Sequence, residues 1–456
     1  MNTHVSATLK KQIKEQIALN EEEYLNLLFE LLRQPSISAQ QIGVDECAQI
    51  LKRQLLDYDI EATIYETKGS PIVYGEIINP KNTKTILIYG HYDVQPPEPI
   101  EAWETPPFEP SIRNGKIYAR GVGDNKGQML AHVFAIKTLR DLQVDLPVNV
   151  KFLFDGEEES SSHSLPAFIK EHQELLAADV LYNADGPLDS TGRPIVYLGN
   201  RGMLYVELTA IGATQDNHSG NKGNIVPNPA WKLINVLQSM REGTDGEVLI
   251  EGFYDDVRPV TIKDIRHLQE QPFDLQETGR VIGYEALDMS GEEYYEKLTL
   301  TPTFNISGLS SGYSGTGKKT VIPSEAKVKI DIRLVADQDP DDIYRKLVAH
   351  IQQVDPSLDI EWVGASKPTR TSMELESVRQ IISSVHDAHE LKPIVLPAIG
   401  ATFPGYLFQE LLKTPSLLIP YANADEDNHA PNENMDVELF FKGIETTCHV
   451  ILNIGK

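Results

Sequence analysis

Four short apolar runs, each ending on a histidine or a carboxylate, constrain this chain more than any other feature. Residues 85–89 run into Gly90-His91-Tyr92-Asp93, and 148–154 into Asp155-Gly156-Glu157-Glu158-Glu159. Residues 180–183 run into Ala184-Asp185, and 416–420 lead towards Asp425 and His429. Short, mainly apolar runs of this length, rich in branched and aromatic residues, read as strands buried on both faces. Helix-like stretches at 128–140 and 165–176 separate them. Strands alternating with helices predict an α/β sheet covered on both sides, whose sites form outside the carboxyl ends of its strands. Four strands then bring a histidine or a carboxylate to one edge.

The 456 residues exceed what one core holds, since single cores stop growing at roughly 250–300 residues. The chain opens as a helix, with Leu25, Leu28 and Leu32 at helical spacing and Pro35 beyond them. After Gly199 the character changes. Residues 203–211 read as a strand leading into a polar, glycine-rich loop at 214–224. From 325 to 335 the pattern alternates without a slip: Ala326, Val328, Ile330, Ile332 and Leu334 are apolar, and Lys327, Lys329, Asp331 and Arg333 are polar. Such a strand has one buried and one exposed face, as in an α+β domain. From about Met373 the helix-then-strand pattern returns, with a helix over 378–389. The expected organisation is an α/β domain formed by 1–200 and 365–456, interrupted by an inserted α+β domain over 201–364.

Acidic residues outnumber basic ones 67 to 41, for a formal charge of −26. A field of that sign repels a phosphate backbone, so nucleic acid is not expected as a partner. No run approaches the ~20 apolar residues of a membrane span, and the first residues lack the apolar core of a secretory signal. Cys47 and Cys448 stand outside any metal-type spacing. A reducing cytoplasm is therefore the expected location.

Imidazole nitrogen and carboxylate oxygen are the groups that zinc takes. Each piece alone has an ordinary explanation. A His-x-Asp pair can be a surface hydrogen bond, and a run of glutamates can favour a helix start. The conjunction at four strand ends is what points to a shared metal site. Between the first two strands lies Arg120-Gly121-Val122-Gly123-Asp124-Asn125-Lys126-Gly127. It lacks the GxxxxGK[ST] arrangement of a phosphate loop and puts an acid where a phosphate would sit.

At these residues the sequence resembles the dinuclear zinc metallopeptidases. That family includes carnosine-type dipeptidases, bacterial glutamate carboxypeptidase, acetylornithine deacetylase and succinyl-diaminopimelate desuccinylase. The stretches that carry the resemblance are GHYDVQPPEPIEAWETPPFEPSIRNGKIYARGVGDNKG, DGEEESSS, NADGP, TVIPSEAKVKIDIRLV and DEDNHAPNE, in family order and spanning nearly the whole chain. The His-Tyr-Asp-Val-Gln-Pro wording leans towards the dipeptidase branch.

The resemblance implies a mixed-sheet catalytic domain carrying an inserted lid and dimerisation domain. It also implies two zinc ions bridged by Asp124. His91 and Asp185 would complete one site, and Glu159 and His429 the other. Glu158 would be the general base, and Asp93 would orient His91. His218 of the inserted domain would reach a neighbouring subunit's site in a homodimer. Arg333 would take the substrate's terminal carboxylate, which its planar fork matches, with Asn224 and Thr320 nearby. Zinc acidifies water to a pKa of about 7, which suits amide hydrolysis at neutral pH. Manganese and cobalt accept similar ligands.

Two departures concern substrate rather than chemistry. Ser160-Ser161-Ser162 follows the metal glutamate where the family commonly has a central glycine, and Gly400-Ala401-Thr402 stands where Gly-Gly-Ser is common. Thr402 is thus expected at the substrate. The expected activity is hydrolysis of dipeptides or short peptides, with an N-acyl amino acid deacylase as the alternative. A non-catalytic metal-binding assembly protein would lack Glu158, and a dinuclear phosphoesterase would favour basic residues that this acidic chain does not advertise.

Overall fold

The computed structural model describes residues 5–189, 191–243 and 246–455. Its largest sheet has eight strands, in the order Glu61–Tyr65, Ile72–Ile77, Asn149–Asp155, Thr85–His91, Val180–Asn183, Ser416–Leu418, Ile195–Tyr197, Ile394–Leu396. The central four run parallel, so their carboxyl ends share one edge. These are the four strands read from the sequence. Two of them extend further than their apolar runs, because His91 and Asp155 still pair with one another in register.

Alternation along Thr85–His91 explains why both faces must be covered. Ile86 and Ile88 enter one apolar cluster, with the helices Gly127–Asp141 and Val437–Ile454. Leu87 and Tyr89 enter another, with Leu165, Phe168, Leu407 and Phe408. Successive side chains of a strand point to opposite faces, and each large side chain so buried contributes roughly 1.5–3 kcal/mol.

A second sheet is antiparallel, in the order Thr303–Ser311, Glu325–Leu334, Gly202–Ile211, Asp359–Ser366. Its apolar face is built from cross-strand pairs such as Ile330 with Val206 and Val328 with Leu208. Leu233, Val236, Ile343 and Leu347 cover it from the helices Pro229–Met240 and Pro340–Val354. Both helices start with proline behind a capping side chain. Asn228 accepts from the Ala230 amide, and Asp339 from the Asp341 and Asp342 amides.

Three differences from the sequence reading stand out. The helix expected over 165–176 breaks at His172 into Leu165–Glu171 and Gln173–Leu176. The loop expected over 214–224 contains a short strand, Asn217–His218, paired with Val321–Ile322, and a helical turn at Ser219–Lys222. Finally, three helices were not anticipated from periodicity, Ile262–Gln269, Leu275–Val281 and Gly291–Thr299, and the first and third lie against the far end of the large sheet. There Leu268, Tyr295 and Leu300 pack on Ile195, Ile394 and Leu396. Each opens on a cap: Thr261 on the Asp264 amide, Asp274 on that of Glu277, and Ser290 on that of Glu293. Cys47 and Cys448 are buried and free. No helix among the described residues is long and apolar enough to cross a membrane.

Candidate metal centre

At the carboxyl edge of the four parallel strands, two groups of side chains have potential ligand atoms within 4.8 Å of one another: His91, Asp124 and Asp185, and Asp124, Glu159 and His429. Asp124 belongs to both. Its Oδ1 lies 3.1 Å from His91 Nε2, and its Oδ2 lies 2.9 Å from His429 Nε2. Asp185 Oδ2 stands 3.7 Å from His91 Nε2, and Glu159 Oε2 stands 3.2 Å from His429 Nε2. A carboxylate whose two oxygens face two different groups has the form of a bridging ligand.

The loop that carries Asp124 is fixed from every side. Glu433, fully buried, accepts from the amides of Gly123 and Asp124 through Oε1 and from Gly121 through Oε2. The same Oε2 takes a 2.8 Å bond from the buried Arg120 guanidinium. Removing one partner of a buried pair of this kind costs about 3–5 kcal/mol. Just beyond, Asn125 donates to the Ala184 carbonyl, Lys126 Nζ to the carbonyls of Leu31 and Gln34, and Gln128 to those of Gly123 and Gly186. Asn125 and Gln128 thereby tie the loop to the strand end that carries Asp185. Glycine is required twice: Gly121 sits at φ +86°, and a Cβ on Gly127 would lie 2.2 Å from the Val122 carbonyl oxygen.

Asp93 lies against both His91 and the glutamate turn. Its backbone oxygen lies 3.1 Å from His91 Nδ1, with the carboxylate slightly further at 3.4 Å. The carboxylate itself accepts from the amides of both Glu158 and Glu159. One residue therefore sets the imidazole tautomer and anchors the turn bearing two glutamates. Gln95 adds a 2.8 Å bond to Glu159 Oε2. Gln95 and Glu433 were not singled out in the sequence, although both lie inside the quoted motifs. The buried Glu426 has no hydrogen-bond partner for either oxygen.

The electrostatics match a centre built for cations. Burial disfavours a charged His91, yet the carboxylates of Asp124, Asp185 and Asp93 outweigh it and hold its pKa well above the usual imidazole value. His429 is pushed up to about 10 by Asp124 and then Glu159. For Glu158, burial and the neighbouring Asp185, Glu159 and Asp124 outweigh the pull of His91 and raise it well above the ordinary carboxyl range. His91 Nε2 is buried and faces two carboxylates without a hydrogen bond to either. An orphaned nitrogen aimed between carboxylate oxygens, with a mixed nitrogen and oxygen donor set, fits divalent metal ligation.

A cavity of about 580 Å³ opens beside this cluster, lined by Glu158, Glu159 and His429 at one end. Met203 and residues 363–366 of the second sheet form another wall, with Ser161, His163, Thr402 and Tyr406 around them. Thr402, expected at the substrate, is among the residues that line this cavity. The structure does not bring His218, Asn224 or Thr320 to this cavity. All three are exposed, and His218 Nε2 is 3.2 Å from the Thr320 hydroxyl. Arg333 is half-buried on the second sheet, paired in register with the cavity-lining Met203.

Residues 87–453 match the profile of Peptidase family M20/M25/M40. The chain is similar to a Beta-Ala-His dipeptidase of Rattus norvegicus, 28% identical over 85% of this chain and 80% of that protein. It is also similar to the Cys-Gly metallodipeptidase dug1 of Schizosaccharomyces pombe, 29% identical over 85% and 83%. Among solved structures, the M20 family metallo-carboxypeptidase Sso-CP2 of Sulfolobus solfataricus superposes with a TM-score of 0.87, 38% identity, and coverage of 95% of this chain and 99% of that one.

If Asp124 serves both groups, Asp124→Asn leaves each a ligand short, whereas His429→Gln damages one. Metal analysis by atomic emission is expected to show Asp124→Asn nearly empty and His429→Gln retaining about half the metal of the parent protein. Equal retention in both variants contradicts a shared carboxylate.

Proposed function

The chain belongs to peptidase family M20/M25/M40, and on that premise we propose that it hydrolyses dipeptides and other short peptides at a pair of zinc ions. It is a metallopeptidase with a mixed-sheet catalytic fold. The observation that carries the finer reading is the sharing of Asp124 between the two candidate ligand groups. His91 and Asp185 would hold one ion with Asp124, and Glu159 and His429 the other. When bound, the metals supply Lewis acidity that polarises the scissile carbonyl and acidifies the attacking water.

The remaining work falls to this chain's own residues. Glu158 lines the cavity next to Glu159 but belongs to neither ligand group. Its carboxylate is the base that takes the proton from the water and returns it to the departing amine, a role worth roughly 10²–10⁴-fold in rate. Asp93 fixes the geometry by holding the amides of Glu158 and Glu159. Arg333 binds the terminal carboxylate of the substrate, and Thr402 contacts the substrate in the cavity. The dipeptidase activities of the relatives support peptides over N-acyl amino acids as substrates.

The two sheets, each with its own apolar core, support the division into a catalytic domain (1–200 and 365–456) and an inserted lid (201–364). We assign the lid a second role in homodimer formation. His218, exposed and outside its own chain's cavity, would enter the partner's site and donate to the developing oxyanion, with Asn224 and Thr320 beside it. A single donor of that kind is worth roughly 10²–10³ in rate. The buried, unlinked Cys47 and Cys448 support a cytoplasmic location.

In a panel of free dipeptides and N-acetyl and N-succinyl amino acids, the dipeptides are expected to turn over preferentially; preference for the acylated compounds would sink the dipeptidase reading. Glu158→Gln should abolish turnover while keeping its metal, and retained activity rejects its role as base. Mixing His218→Ala with Glu158→Gln protein should restore part of the activity through hybrid dimers. Absence of rescue despite demonstrated subunit exchange counts against His218 acting across subunits.

A further inference from the structure

Two guanidinium groups sit together at the border between the sheets. The Arg333 side chain makes no hydrogen bond or ion pair with any of the described residues, and Asp331, two places along its strand, is engaged by Asn305 at 2.7 Å. Arg201 is 5% exposed and lies immediately before the strand Gly202–Ile211, whose Met203 pairs with Arg333 in register. Its Nη1 donates to the Leu298 carbonyl at 3.0 Å, and its Nη2 to Thr301 at 2.9 Å. These carbonyls lie at the end of the helix Gly291–Thr299, where a cation is favoured. Arg201 Nε is buried and has no partner. Neither guanidinium is matched by a carboxylate bound to it, although this chain carries a large acidic excess.

We propose that Arg201 is a positioning residue for recognition of the substrate's terminal carboxylate: a fixed, buried positive charge behind Arg333 that strengthens this spot as an anion site. The proposal rests on the reading of Arg333 as the carboxylate binder. Helix-end carbonyls carry only partial charge, so they hold Arg201 in place without cancelling it. Asp331 opposes the lowering of Arg201 but is itself bound by Asn305, so Arg333 keeps a like-charged neighbour with no carboxylate bonded to it, and a substrate carboxylate arriving there relieves both. Burial, and then the charge of Arg333, lower Arg201 to about 10, so it stays charged at neutral pH.

The same residue anchors the surrounding wall. The Arg201 amide donates to the Ile399 carbonyl, and the Leu298 side chain lies against Gly400, two residues before the cavity-lining Thr402. A role confined to that anchoring would affect all substrates alike, whereas a role through charge depends on whether the substrate ends in a carboxylate.

The test compares the parent enzyme with Arg201→Met and Arg201→Lys on one dipeptide and its C-terminal amide, with thermal melting and metal content confirming that the variants fold. For the free acid, Arg201→Met is expected to raise KM about tenfold, the effect of one nearby charge in a partly screened site, with kcat within about threefold. The amide should show no change in KM, and Arg201→Lys, which keeps the charge, should recover most of the loss. In the Glu158→Gln background calorimetry should read the same loss as a weaker Kd. An unchanged KM, a parallel rise for acid and amide, or Lys and Met variants that behave alike would each overturn the proposal. If the parent enzyme makes no distinction between acid and amide, the carboxylate reading of Arg333 falls as well. A parent preference for the acid that survives in Arg201→Met refutes the role of Arg201 alone.

Discussion

The centre depends on Glu433. A turn that presents Asp124 to two ligand groups has its backbone amides facing inward, and these need a buried acceptor. Glu433 meets three of them, at Gly121, Gly123 and Asp124, and is itself held by Arg120. Burial drives Glu433 towards its neutral form, and Arg120 is the first influence opposing this. The ion pair therefore keeps an anion under a loop whose task is to carry another anion. Without it, Asp124 would sit on an unsatisfied backbone, and unsatisfied buried amides cost about 1–3 kcal/mol each.

The sheet does the rest of the assembly. Four adjacent parallel strands end at one edge, and the connection between Ser416–Leu418 and Asn434–Asp436 brings His429 back to the strand end that carries His91. Concentrating carboxylates there is unfavourable in the absence of cations. The raised pKa values of His91 and His429 express this, since both imidazoles hold protons against the surrounding acids. Metals would replace those protons, in line with the general coupling of metal affinity to ligand deprotonation.

Much of this was legible in the sequence. The four strands are short apolar runs buried on both faces, and the strand 325–334 shows its half-burial through strict alternation. The five potential ligands could be named because chemistry sits at strand ends and because the motifs resemble a known family. The anchors were harder to see. Glu433 and Gln95 act through hydrogen bonds to residues distant in sequence or adjacent to a ligand, which leave no periodic trace. The three inserted helices are short, and only their caps at Thr261, Asp274 and Ser290 betray them. Arg201 reads as an ordinary polar residue before a strand, and its role emerges only once the end of a distant helix is placed against it.

The large sheet and its anchored loop carry the candidate metal ligands, while Met203 and residues 363–366 of the second sheet supply the facing wall of the cavity. The central claim is that two metals act together through Asp124. It is tested most directly by stripping the protein of metal and following dipeptide hydrolysis while zinc is returned in measured amounts. The account predicts an inactive apoprotein whose activity rises to completion at two equivalents per chain, matching the two ligand groups. Full activity after metal removal, or saturation at a single equivalent, would contradict it.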